Sequence, residues 1–174
     1  MNEYKIKSIV KSISHINSDN FFDEMCISLR AVIDADFVFI AKIDGTNSIA
    51  NSIAAASKGH KAKNFIYALE STPCADVTST GICSHNGNIQ QLYPSDRLLV
   101  DMNINSYVGV SLKNNLGDVD SILVALFEES IESVYEVETL FLLFSGLIEK
   151  ELHKVSYSKT IELSNKIIEN THEA

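Results

Sequence analysis

Tryptophan is absent from the 174 residues, proline occurs twice, cysteine three times and glycine seven times. So little proline and glycine excludes collagen-like and low-complexity architectures. Three cysteines are an odd number and no basic-then-apolar leader opens the chain, so a disulfide-stapled secreted scaffold is excluded and reduced thiols are expected. Positive charge is scarce as well: 14 Lys and Arg stand against 23 Asp and Glu, a net charge of −9. Such a surface does not collect phosphate backbones, because counterion release needs a basic face, and nucleic acid is not an expected partner. The longest apolar runs, 121–127 and 140–148, fall short of the roughly 20 residues that cross a bilayer, so no membrane span is expected. These absences predict a cytoplasmic protein. What is present is 45% hydrophobic residues with 21% charge, the balance of a folded chain that fills one domain with extra helices.

Periodicity sets the order of elements. Ile6, Ile9, Val10, Ile13 and Ile16 recur at helical spacing and predict an amphipathic N-terminal helix over residues 4–16. Ser18, Asp19 and Asn20 offer capping oxygens to a second helix, whose stripe is Phe22, Met25, Cys26, Leu29, Val32 and Ile33. Cys26 on that stripe reads as a small core residue. In residues 36–44, Phe37, Phe39, Ala41 and Ile43 face one way while Val38 and Ile40 face the other, as in a central strand covered on both sides. A hairpin at Asp44-Gly45-Thr46-Asn47 leads to a weaker, edge-like strand over 48–57. Phe65, Ile66 and Leu69 suggest a short helix, 70–88 reads as loop, and a short strand or turn follows near 89–93. Residues 96–102 then form a short helix capped by Asp96 behind Pro94. Residues 106–113 alternate strictly, with Val108, Val110 and Leu112 opposite Tyr107, Gly109 and Ser111. After the turn at 114–117, Ile122, Val124 and Leu126 oppose Leu123, Ala125 and Phe127. A long stripe from Val137 to Val155 follows Ser133 and Glu136, which have capping-box spacing. Beyond it, residues 156–173 keep only a fainter periodicity. The pattern is α+β: an antiparallel or mixed sheet with long helices on one face and loops over the other.

Few residues carry catalytic signatures. Cys74, Cys83 and His85 include soft and borderline metal ligands, but Cys83-Ser84-His85 is one tight pair without the second pair and fourth ligand of a structural zinc site. Cys74 and Cys83 are then pocket or support residues, with a redox pair as the rival reading. His60, His85 and His153 sit in no nucleophile-base motif, and His15, His153 and His172 fall on helix surfaces. No Gly-x-Gly-x-x-Gly or Walker loop is present, so nucleotide cradles of those kinds are absent. Tyr107 either points its hydroxyl into a cavity or bonds it within the core.

One phrase is more specific. Tyr67-x-Leu69-x-Ser71-Thr72-Pro73-Cys74, then Cys83, Tyr93-Pro94-x-Asp96, Ser106-Tyr107-x-Gly109-Val110-x-Leu112 and an apolar final strand resemble a GAF domain. The resemblance covers residues 20–150 and is to the group found in bacterial sensor histidine kinases and in GGDEF/EAL signalling proteins. Ser71 stands where that group usually has Gly, Ser111 where Pro usually precedes the Leu, and Ser121 where Gly usually sits in the last strand. The Asn-Lys-x-x-Phe…Asp-Glu signature of cyclic-nucleotide-binding GAF domains is missing, and Phe22-Asp23-Glu24 is not that motif. The bilin-binding signature of phytochromes is missing too.

The resemblance implies a GAF/PAS-like antiparallel sheet of five or six strands, with helices packed on one face, loops and short helices on the other, and terminal helices flanking it. Its divisions are residues 1–17 as the N-terminal helix, 18–150 as the domain and 151–174 as a linker helix. Because the loop after residue 67 must cover the sheet face that carries Phe39, the residues Phe39, Tyr67, Thr72, Cys74, Cys83 and Tyr107 are expected to converge on one ligand cavity. The implied role is a non-catalytic sensor for an unidentified small molecule, with no cofactor assigned, that acts on a fused or partner output domain of histidine kinase or GGDEF/EAL type. A parallel homodimer through the Ile6, Ile9, Ile13 and Ile16 stripe and through Leu147, Ile148, Leu152 and Val155 is expected. A thiol-dependent enzyme of the methionine sulfoxide reductase kind and a ligand-free dimerisation module are the alternatives.

Overall fold

The computed structural model describes residues 20–46 and 48–172, together with Lys7, Val10 and Lys11. The expected N-terminal helix, its isoleucine stripe, His15 and the caps Ser18 and Asp19 lie outside the described residues, apart from those three, which are helical.

Helix α1 (Phe21–Ile33) buries Met25, Cys26 and Leu29 and ends where Asp34 adopts φ 54°, its N–H donating back to the Arg30 carbonyl. Asn20 stands at its N-cap but gives no side-chain cap. Strand β1 (Phe37–Ile43) and strand β2 (Ile49–Ser57) pair antiparallel, with a bulge between Ile40 and Ala41. Asp44 builds the hairpin between them, its Oδ1 accepting the Ser48 and Ile49 amides. Two short strands, β3 (His60–Lys61) and β4 (Ile66–Ala68), share the outer edge of β2. The short helix expected around residues 65–69 is therefore a strand. A bare β2 edge would leave a row of unpaired backbone groups, and β4 satisfies them at Ile49–Asn51.

The expected loop over 70–88 holds helix α2 (Pro73–Thr80) and strand β5 (Ile82–His85). Pro73 opens α2, where a missing N–H costs nothing. The helix was hidden because its second half is Val-Thr-Ser-Thr, whose hydroxyls bond back to carbonyls: Thr78 to Ala75, Ser79 and Thr80 to Asp76. Helix α3 (Ile89–Leu92), a single turn, replaces the strand or turn expected near 89–93, and helix α4 (Arg97–Asp101) follows. Asp96 caps α4 as expected, accepting the Leu98 amide. Strands β6 (Ser106–Lys113) and β7 (Val119–Phe127) complete the sheet, and helix α5 (Val134–His172) runs on without interruption. At its start the Glu136 amide donates to Ser133 Oγ.

The sheet has seven antiparallel strands in the order β3-β2-β1-β7-β6-β5, with β4 beside β2. Its two faces carry two cores. Val38, Ile40, Val108, Val110, Leu112, Leu123, Ala125 and Phe127 pack against α1 and the first half of α5. Phe37, Phe39, Tyr107, Ile122, Val124 and Leu126 pack under α2, α3 and α4. Each central strand thus sends alternate residues to opposite cores, as its sequence parity requires.

One expectation for the long helix needs correcting. Ile148 and Leu152 are 0% and 5% exposed and belong to the domain's own core, so they offer nothing to a partner. The exposed aliphatic residues of α5 include Leu142, Leu143, Leu147, Val155, Ile161, Leu163, Ile167 and Ile168, with Tyr135 and Tyr157 exposed beside them.

Candidate functional site

On the short-helix face a cavity of about 70 Å³ opens between the sheet and α4. Phe37 and Phe39 on β1, Leu126 on β7 and Tyr107 on β6 form its floor. Phe65 and Tyr67 form one wall, with Pro73 and Cys74 at the start of α2, and Asp96, Leu98, Leu99 and Met102 around α4 close the rest. The aromatic side chains are mutually packed. Phe39 meets Phe65 at 5.2 Å and 70° and Tyr67 at 6.0 Å and 89°, both edge-to-face, an arrangement favoured by the ring quadrupoles.

Of the residues expected to converge, Phe39, Tyr67, Cys74 and Tyr107 line this cavity. Thr72 is buried beside it but spends its hydroxyl on the Leu69 carbonyl, 2.7 Å away, and does not reach the lining. Cys83 also stands outside, on β5, with its sulfur 3.3 Å from His85 Nε2. The separation follows from α2: a helix, unlike a loop, carries its first turn inward and sends the chain away to the sheet edge before β5. The lining residues outside the expected set are Phe37, Phe65, Pro73, Leu126 and the α4 group. Phe37 shares the parity of Phe39, and Leu126 that of Ile122 and Val124, so both were marked by alternation. Asp96, expected as the cap of α4, is a lining residue as well.

Polar groups are few, and their states are set by burial. Tyr107 is fully buried and its hydroxyl donates to Cys74 Sγ at 3.3 Å. Burial pushes the Cys74 thiol up to about 11, opposed by that hydrogen bond. Burial likewise raises Tyr67 and Tyr107 well above the ordinary phenol range, with the neighbouring Cys74 adding to both. The Tyr67 hydroxyl lies beside the sulfur, yet it is buried and has no hydrogen-bond partner of good geometry. Burial raises Asp96 above the usual carboxylate range, against the pull of the α4 backbone amides. No basic side chain lines the cavity.

A second polar cluster lies on the outer side of α2. Tyr93 donates to Asp76 Oδ2, its oxygen is 3.3 Å from His85 Nε2, and the same imidazole nitrogen faces Cys83. Burial first and Asp76 second raise the Cys83 thiol, so the cluster holds it protonated. Among the described residues no group of three or more His, Cys, Asp or Glu is placed to hold a metal ion.

No family model matches the sequence, and no curated protein matches it. Solved structures do match. The GAF domain of an Acinetobacter phosphoenolpyruvate-protein phosphotransferase superposes with TM-score 0.68 at 14% identity, over 92% of this chain and 99% of that one. The GAF domain of A. aeolicus nlh2 in an inactive state gives 0.59 at 11%, over 90% and 95%. The chromophore-binding domain of Stigmatella aurantiaca bacteriophytochrome gives 0.61 at 12%, over 86% of this chain and 59% of that longer one. At such identities the likeness is one of fold, and the fold is that of GAF domains.

Proposed function

We propose that this GAF-fold chain is a non-catalytic sensory domain whose ligand enters the cavity between β1, β4 and α4. The observation that carries the reading is the Tyr67 hydroxyl, buried at the cavity without a partner. An unpaired buried hydroxyl costs about 1–3 kcal/mol, and a bound polar group would offset it. Absence of catalysis is favoured by the thiols: desolvation pushes Cys26, Cys74 and Cys83 all upward, away from the thiolate that a methionine sulfoxide reductase or any cysteine nucleophile needs. The candidate site on this reading remains Phe39, Tyr67, Thr72, Cys74, Cys83 and Tyr107, with Thr72 and Cys83 acting from behind the lining.

The relay runs through β6. Tyr107 meets the cavity, while Val108, Val110 and Leu112 on the opposite face pack with α5. Hydrogen bonds tie the sheet to α5 at two places: near the end of β6, Lys113 N to Glu149 Oε1 at 2.8 Å and His153 Nε2 to the Lys113 carbonyl at 2.7 Å, and from β5, beside the start of β6, Ser84 Oγ to Glu138 Oε1 at 2.6 Å. His153 is thus held by the sheet rather than left to water. A ligand that prefers one seating of Tyr107 biases the seating of α5, which is all the mechanism requires. The exposed apolar residues from Leu142 to Ile168 support a homodimer through α5, from which a kinase or GGDEF/EAL output domain would read the change.

A thermal-shift screen of small metabolites against the wild type and Tyr67→Phe tests the cavity. A true ligand raises the wild-type midpoint and raises that of Tyr67→Phe by less; a library without hits, or hits indifferent to Tyr67, would leave the dimerisation module as the better reading. Light scattering decides the oligomeric state separately.

A further inference from the structure

A second, larger opening lies on the long-helix face. It is a groove of about 700 Å³ between the end of α1, the end of β7 and the first turns of α5. Val32, Ile33, Phe127, Ile131, Val137 and Leu140 supply its apolar lining, and Asp34, Asp36, Glu129, Glu132 and Glu136 its charge. No Lys, Arg or His lines it. Asp36 gives one oxygen to the Glu128 amide, and the ion pairs of the described residues include none of Asp34, Asp36, Glu129 and Glu132. Carboxylates gathered round hydrocarbon repel one another and leave apolar surface in water. An occupant that is apolar on one side and cationic along its edges relieves both.

The chain carries such a segment just ahead of α1. On a helix over residues 4–16, Ile6, Ile9 and Ile13 share one side, and Lys5 and Lys7 stand to either side of Ile6. Lys7, Val10 and Lys11, the described residues of this segment, are helical and exposed. The isoleucines, turned away from Lys7 and Lys11, are the residues left to be covered. Independently of the aromatic cavity, we propose that residues 4–16 fold back along α1 and dock in this groove of their own chain. Ile6 and Ile9 then meet the apolar floor, while Lys5 and Lys7 reach over it to the carboxylates of Asp34, Glu129 and Glu132.

The connection has the right length. Residues 17–20 must make the turn into α1, and a loop of two to five residues is enough to join two antiparallel helices. Helix α1 has 13 residues, about 20 Å at the helical rise, and a helix over 4–16 spans the same. Folded back, its first turns come level with Val32, Ile33 and Asp34 at the far end of α1. Tethering gives the segment an effective concentration on the order of millimolar, which favours it over a separate chain. The isoleucine stripe is thus spent within the chain, the homodimer is left to α5, and the segment clamps α1 to the start of the helix that carries the relay.

The test is carbodiimide coupling, which joins lysines to carboxylates in contact, on an equal mixture of unlabelled and heavy-nitrogen-labelled protein, followed by peptide mass spectrometry. We expect Lys5 or Lys7 joined to Asp34, Glu129 or Glu132 in pairs that are wholly unlabelled or wholly labelled. Mixed pairs would assign the groove to a second copy, and a lack of such links would leave it unfilled; either overturns the proposal. Charge reversal gives a second reading, and it spares the core because Glu129 and Glu132 are exposed. Lys5→Glu with Lys7→Glu, and separately Glu129→Lys with Glu132→Lys, should speed amide exchange over residues 128–137 at least fivefold. All four changes together should restore it, as coupled sites require. Exchange indifferent to either reversal, or not recovered in the combined variant, also overturns the docking.

Discussion

The Tyr107 hydroxyl donates to the Cys74 sulfur across 3.3 Å with both residues buried, and so ties the central strand β6 to the first turn of α2. It is the direct bond between the sheet and the helix that closes the cavity. Tyr107→Phe keeps the ring and removes the bond, which should destabilise the fold by about 0.5–1.5 kcal/mol in denaturant titration. The same substitution should raise the Cys74 thiol pKa further above about 11, because the hydrogen bond from Tyr107 opposes the effect of burial. An unchanged alkylation rate of Cys74 at high pH would contradict this.

Gly109 has no room for a side chain. A Cβ there would collide with the Tyr107 hydroxyl and lie 2.8 Å from Val77 Cγ2, since the tyrosine ring lies back along its own strand toward α2. The glycine two residues after the tyrosine is thus a packing requirement of the cavity floor. Gly109→Ala should cost about 1–3 kcal/mol by overpacking and displace Tyr107. Thermal denaturation and the Tyr107 ring signals in NMR would show both effects.

Ser71 adopts φ 60°, in the left-handed region, and its side chain is exposed. This is the position at which the resembled group usually has glycine, and the backbone explains why. A residue with a Cβ is strained there by about 1–2 kcal/mol, part of which is recovered in the unfolded chain where glycine is the more mobile. Ser71→Gly should therefore stabilise the protein by about 0.5–1 kcal/mol. A lower midpoint in urea for the variant would refute the account.

The fold was legible where parity spoke. Phe37, Phe39 and Ala41 against Val38 and Ile40, and Ile122 and Val124 against Leu123 and Ala125, divide between the two cores as alternation requires. The cavity's floor follows from the same rule. Its roof was not legible, because α2 and β4 are too short to show a period and owe their form to tertiary partners: β4 to the open edge of β2, α2 to Pro73 and to Val77 packing under the sheet. Ser111 shows how a departure from the expected phrase carries information. Its amide donates to the Gly81 carbonyl at 2.8 Å, a bond that the usual proline could not make. Asp96 was legible as a cap and not as a pocket residue, since nothing local says where the end of a five-residue helix points.

Thiol chemistry distinguishes the three cysteines. Cys26 is fully buried in the core with its thiol pushed up by burial, Cys74 is 4% exposed, and Cys83 is half-buried with a milder environment. All three should be free thiols in the purified protein. Titration with a thiol reagent at pH 8 should label Cys83 first, Cys74 slowly and Cys26 only on unfolding. Peptide mapping that finds Cys26 modified in the native protein would overturn the core assignment.

The Asp96 carboxylate carries a stability cost in the folded chain. Burial raises its pKa in the folded chain above the unfolded value, and its neighbours across the cavity, Tyr67 and Cys74, are neutral and raised themselves. The sign follows directly: the folded form takes up the proton more readily, so the contribution to stability is complete below the ordinary carboxylate pKa and is lost as pH rises through the raised one. At neutral pH the protein is left with the cost of a desolvated charge. Asp96→Asn keeps the cap on α4 and removes that charge, so it should be more stable than the wild type at pH 7, with the advantage shrinking steadily on acidification toward pH 4. Chemical denaturation of both proteins across that range checks the slope as well as the sign.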